Sequence, residues 1–128
     1  MTRIRRDTAG ADAVKTRLEQ HMTDVRPWLD PELTVARLAR QLGVPQRSVS
    51  ETVNDQFAMS VSRWINGWRI VEAQRLIQAT PERPLVELML DCGFQTRSNF
   101  NKTFKDLTGE TPSAWRKRNC APASAAPE

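Results

Sequence analysis

Val35-Ala36-Arg37-Leu38-Ala39-Arg40-Gln41-Leu42-Gly43 is followed, fifty residues later, by Leu85-Val86-Glu87-Leu88-Met89-Leu90-Asp91-Cys92-Gly93, and the pairing of these two stretches decides how the chain folds. In each, apolar residues stand at i, i+3, i+4 and i+7: Val35, Leu38, Ala39 and Leu42 in the first, then Leu85, Leu88, Met89 and Cys92. That spacing lines them up as one stripe of an α-helix. The glycine after each stripe stops the helix, because glycine enters the left-handed conformation without a Cβ penalty. Beyond each glycine a second stripe begins, with Val49, Val53 and Phe57 in the first copy and Phe100, Phe104 and Leu107 in the second. The second connection is one residue longer, so from here the copies align at an offset of 51, Val49 with Phe100, Val53 with Phe104, Ser62 with Ser113 and Trp64 with Trp115. Two short helices joined by a tight turn containing glycine make a helix-turn-helix, and the repeat says that there are two of them.

The rest of the chain is organised around this pair. Asp12 reads as the cap of a first helix in which Val14, Leu18, Met22 and Val25 recur, and Pro27 ends it. Thr34 caps the second helix, Pro45 or Gln46 opens the third, Ser60 caps the fourth, Thr96 the sixth, and Thr111-Pro112 opens a short seventh carrying Trp115. The fourth helix, 61–79, holds apolar residues on more than one face, which requires something packed on each side. The expected architecture is all-α, two helix-turn-helix subdomains joined by a long linker helix, about seven helices in all. Its divisions are a flexible arm over 1–11, a first helix and first subdomain over 12–60, the linker over 61–79, the second subdomain over 80–119 and a disordered Pro/Ala tail over 120–128. Nineteen residues of linker at ~1.5 Å rise span about 28 Å. Successive major-groove faces of B-DNA lie roughly 34 Å apart, so one chain holding two such helices could address adjacent grooves of one duplex.

Composition narrows the function. Nineteen Lys and Arg against 15 Asp and Glu give a net charge of +4 among 128 residues, and the sequence pI is near 9.7 with a mean hydropathy of −0.56. This balance suits an anionic partner. His21 is the single histidine, and Cys92 and Cys120 are too far apart for a paired metal or redox motif, so no catalytic residue, metal site or cofactor is expected. Cys92, on an apolar helix face, reads as a small buried hydrophobe. The five glycines form no phosphate-cradling loop. No apolar run approaches the ~18–20 residues that span a bilayer. The basic N-terminus has no apolar stretch behind it, and two cysteines without a framework fit a reducing cytoplasm.

Several segments now carry a resemblance. Leu33-Thr34-Val35, Leu38-Ala39, Leu42-Gly43-Val44, Cys92-Gly93-Phe94, Ser98-Asn99-Phe100, Thr103-Phe104-Lys105 and Thr111-Pro112-Ser113-Ala114-Trp115-Arg116 together resemble the DNA-binding domain of the AraC/XylS regulators, from about Leu33 to Arg118. In size the chain is similar to the short single-domain activators; its wording from Gln95 to Asn101 also resembles members with a separate N-terminal membrane or sensor part, of which the chain would be a fragment. The resemblance implies base reading from Gln46, Arg47, Ser50 and Glu51 on the third helix and from Arg97, Ser98, Asn99, Asn101 and Lys102 on the sixth, with Lys105 at a phosphate. The residue types suit the second set: Arg and Lys donate to guanine, and Asn pairs with adenine. The first set departs from the family by Glu51, where a cationic or neutral residue is usual, by Pro45 in place of a Ser cap, and by Ala58 in place of Gly.

The leading expectation is a sequence-specific binder of double-stranded DNA that regulates transcription, with promoter DNA and RNA polymerase as its partners. The alternative is a protein-binding adaptor or anti-activator, its acidic first helix-turn-helix degenerate for DNA. Arg116-Lys117-Arg118 reads equally as a phosphate clamp or a solvated helix end, and Arg69 and Arg75 read as structural or exposed residues, with a phosphate contact as the alternative. The eight Trp and Phe residues fall at helical spacing and are expected in the core rather than as stacking platforms for bases.

Overall fold

The computed structural model describes the backbone of residues 2–125 and the side chains of residues 13–120. The described residues form α-helices and one short 3-10 turn: α1 (Thr2–Asp24), the turn Pro27–Leu29, α2 (Val35–Leu42), α3 (Gln46–Phe57), α4 (Val61–Ala79), α5 (Leu85–Asp91), α6 (Arg97–Thr108) and α7 (Pro112–Ala125). They make two compact units, residues 1–65 and 66–128, with the boundary inside α4 between Ile65 and Asn66. The helix read as a linker has the bounds expected of it, but it belongs to both units.

In the first unit Leu18 and Met22 of α1, Leu38, Ala39 and Leu42 of α2, Val49 and Val53 of α3, and Val61, Trp64 and Ile65 of α4 are buried. Phe57 is only half-buried and stacks on Trp64, with ring centroids 5.3 Å apart. Two residues depart from the expected stripes. Val25 is 61% exposed, because α1 ends at Asp24 and Arg26 turns left-handed (φ 57). Trp28 takes the buried place instead, its indole N–H donating to the Met22 carbonyl at 2.8 Å, which satisfies an open carbonyl at the helix end. Thr52 is the other departure. It completes the buried face of α3, although its hydroxyl hid it from a count of apolar positions.

The second unit closes around Phe94, Phe100, Phe104 and Trp115, whose rings contact in sequence at 5.2, 5.8 and 5.9 Å. Ile70, Ala73 and Ile77 of α4 and Leu88, Met89 and Cys92 of α5 and its end complete that core.

The ends of the helices follow local chemistry. Thr34 and Thr96 accept from the N–H groups of Arg37 and Asn99, and Ser60 accepts from Arg63 N–H at 3.2 Å. Pro45 begins α3 with no side-chain cap. Gly43 (φ 70) and Gly109 (φ 88) take the left-handed position after α2 and α6, while Ala58 is forced into it (φ 56) after α3. A Cβ in that conformation costs about 1 kcal/mol.

At both ends of the chain the helices run further than the stripes suggested. The backbone is helical from Thr2, ten residues before the cap expected at Asp12, where an arm over 1–11 was expected, and α7 continues to Ala125, within the span 120–128 read as a tail. A stripe reports what a helix packs against, whereas i→i−4 backbone bonds need no stripe. Met1 and residues 126–128 lie outside the described residues.

Candidate nucleic-acid interface

The third and sixth helices each follow a glycine-containing turn, and burial fixes which side of each faces outward. At about 100° per residue, the buried Phe100 and Phe104 and the half-buried Leu107 of α6 place Ser98 and Lys102 on the side pointing away from the core, with Lys105 next to them. Asn101 lies on one flank of that face, and Arg97, in the first position of the helix, lies further round on the same side. Asn99 lies on the other, where its carbonyl oxygen accepts from the Thr103 hydroxyl at 3.4 Å. All six of these side chains are exposed.

Applied to α3, the same construction puts Arg47 and Glu51 on the outermost line, with Gln46 and the half-buried Ser50 on the flank. The offset of 51 makes Arg47 the counterpart of Ser98, and Glu51 that of Lys102. The two outward faces therefore carry opposite charges at their central position. Arg47 Nε donates to Glu51 Oε2 at 3.0 Å, so the one cation on the outer side of α3 is matched by an acid one turn on. Among the described residues no carboxylate pairs with Arg97, Lys102 or Lys105.

Other cations are committed to structure. Arg69 is buried, with its guanidinium over the Phe94 ring at 5.9 Å and a bond to Asn66 Oδ1 at 3.0 Å. That position removes it from the phosphate contacts weighed above. Arg75 holds the buried Glu72 carboxylate through two bonds, at 2.9 and 2.7 Å. Arg83 pairs with Asp91 and Glu87. Arg118 pairs with Glu110, whose hydrogen bond pulls the carboxyl below its ordinary range. In the triplet read as clamp or helix end, Arg118 is thus spent on an ion pair and Arg116 Nη1 donates to the Arg83 carbonyl at 2.9 Å. Cys92 is fully buried; burial, with Glu72 and Asp91 nearby, pushes its thiol from 9.0 up to about 12.

The sequence reading weighed Arg69 as a structural residue but passed over Glu72; both are buried. No helix among the described residues is long and apolar enough to cross a membrane.

Comparison with known proteins bears on this geometry. A family model described as "Helix-turn-helix domain" matches residues 38–118. The transcriptional activator RhaR of Klebsiella pneumoniae is 26% identical over 91% of this chain, and the chain spans 41% of that protein's length. A transcriptional regulator from Chromobacterium violaceum, described by its AraC-type DNA-binding domain, superposes with a TM-score of 0.71 at 22% identity, covering 86% of this chain and 98% of that one. The DNA-binding domain of the transcriptional factor AdpA, solved with a target DNA, gives a TM-score of 0.65 at 22% identity over 92% of this chain and 96% of that one. With the doubled helix-turn-helix in place and the family model covering well over half of its residues, the chain belongs to the AraC-type helix-turn-helix regulators.

Proposed function

We propose that the chain is the DNA-binding part of a transcription regulator, and that it reads double-stranded DNA through α3 and α6, one helix to a major groove. The observation that carries this is the outer face of α6, where Lys102 and Lys105 stand exposed beside Ser98, with no carboxylate partner among the described residues, on a helix anchored by Phe100 and Phe104. Lysine at such a position donates to guanine O6 and N7 or to phosphate oxygens, and a serine hydroxyl serves either kind of contact. The target DNA bound by AdpA and the activator role named for RhaR support the same reading, since both are similar to this chain. Because α3 and α6 differ at every outward position, the two half-sites differ too, and one chain occupies one asymmetric site.

A second reading, a protein-binding adaptor, draws on the Arg47–Glu51 pair, which leaves the outer line of α3 without net positive charge. A salt series separates the two. A chain making about six phosphate contacts loses roughly 10³-fold in affinity for a duplex between about 50 and 200 mM salt. A shallow or absent dependence favours the adaptor.

A further inference from the structure

In the second unit a cleft of about 330 Å³ opens between the start of α5, one flank of α6 and the first turn of α7. Buried Met89 and Phe100 contribute apolar lining, while Arg97, Asn101, Ser113 and Arg116 supply the polar groups. Among the described residues no acidic one lines it. Arg69, Arg75, Arg83 and Arg118 of this unit are each engaged with an acid or enclosed in the core. Arg97 and Arg116 have no carboxylate partner among the described residues, and the cleft brings these two together.

Arg116 is also held in place. One guanidinium nitrogen donates to the Arg83 carbonyl at 2.9 Å, leaving the rest of the planar fork available on a fixed support. Ser113 adds a hydroxyl and, as the second residue of α7, a backbone N–H with no carbonyl one turn back to accept it. Two guanidinium groups, a serine hydroxyl, a side-chain amide and a helix N-terminus line one small cleft whose charged groups are both cations. The chemistry that matches is a tetrahedral phosphate oxygen cluster.

We propose that this cleft seats a backbone phosphate of the DNA duplex. Arg97 and Arg116 then act as a clamp that sets the register of α6, and Arg97 is a phosphate contact rather than a base reader. Arg97, the first residue of α6, lies about a third of a turn from the Ser98–Lys102 line, on the side toward the cleft, which supports this division: the outer line meets base edges while Arg97 meets the groove wall. The proposal rests on the DNA reading above.

The test uses the full chain and two variants at exposed positions, Arg97→Gln and Ser113→Glu, the second placing a carboxylate in the cleft. Affinity is measured by fluorescence anisotropy on a selected duplex and on a scrambled one across a salt series, with thermal melts confirming that both variants fold. The expected result is a loss of about tenfold on both duplexes alike, with the slope of log K against log salt reduced by about one and base preference unchanged. If Arg97→Gln instead relaxes preference at one base pair with the slope intact, Arg97 reads a base and the proposal is wrong. It is equally wrong if neither variant changes affinity or slope. An unsubstituted chain that shows no salt-dependent binding to any duplex would remove the DNA reading, and the phosphate seat with it.

Discussion

Replacing Glu51 with alanine should tighten DNA binding, which is unusual for the loss of a polar side chain on a helix proposed to read DNA. Glu51 is 61% exposed and its partner Arg47 is 86% exposed. An exposed i,i+4 pair of this kind contributes about 0.3–0.5 kcal/mol to folding, so the fold barely registers its removal. Docked against a duplex, the carboxylate faces phosphates instead of water. A charge about 7 Å from a phosphate, at water-like dielectric, is repelled by ~0.6 kcal/mol, and two flanking phosphates bring this to roughly 1 kcal/mol. Losing that repulsion raises affinity by about 2- to 5-fold, and releasing Arg47 for a phosphate steepens the salt slope by about 0.9. If Glu51 accepts from a cytosine N4 amino group, the variant also loses preference for C at one position of that half-site. The assay is anisotropy on selected and half-scrambled duplexes, run beside Lys102→Ala, which should cost about 1–3 kcal/mol and relax readout in the other half. Should Glu51→Ala weaken binding to all sequences while Lys102→Ala changes nothing, the anchoring helix is α3 and the electrostatic reasoning is refuted.

Three further outcomes concern the fold. Phe104 is fully buried between Phe100 and Trp115, so Phe104→Ala should cost about 3–5 kcal/mol in a urea melt and abolish binding by α6; an unchanged midpoint would contradict that packing. A Cβ on Gly67 meets nothing within 4 Å, so Gly67→Ala should stabilise the chain by about 0.5–1 kcal/mol, raising its melting temperature; a lower one would show that α4 needs the glycine. The Cys92 thiol, raised from 9.0 to about 12 by burial, keeps its proton in the folded state where the unfolded chain loses it. Its contribution to stability is therefore full below pH 9 and is lost as the pH rises from 9 to 12, and urea melts of the native chain and Cys92→Ala should differ in slope with pH across that window.

Much of the fold was legible because its signals are local. Thr34 and Thr96 cap where they stand, Gly43 turns where a stripe stops, and Phe100 and Phe104 at i and i+4 fix the buried side of α6. The readings that failed needed knowledge of what lies beyond a helix. Val25 continues a stripe in sequence, but its helix has ended and Trp28 fills the space. Thr52 is polar by composition and buried by position. The side of α6 could be read in sequence, whereas the cleft on its flank could not. It depends on α5 and α7 bringing Arg116 and Ser113 beside Arg97, a meeting of residues far apart in the chain. Arg69 shows the same limit: only the Phe94 ring lying under its guanidinium separates a core arginine from a surface one.

The most direct measurement is selection of bound duplexes from a random pool by the 128-residue chain, followed by the stoichiometry of the enriched site. One chain carrying two different reading helices should enrich a single asymmetric motif of roughly 16–20 base pairs, bound one chain to one duplex. A palindromic motif occupied only by two chains, or a pool that shows no enrichment at any salt concentration, would contradict it.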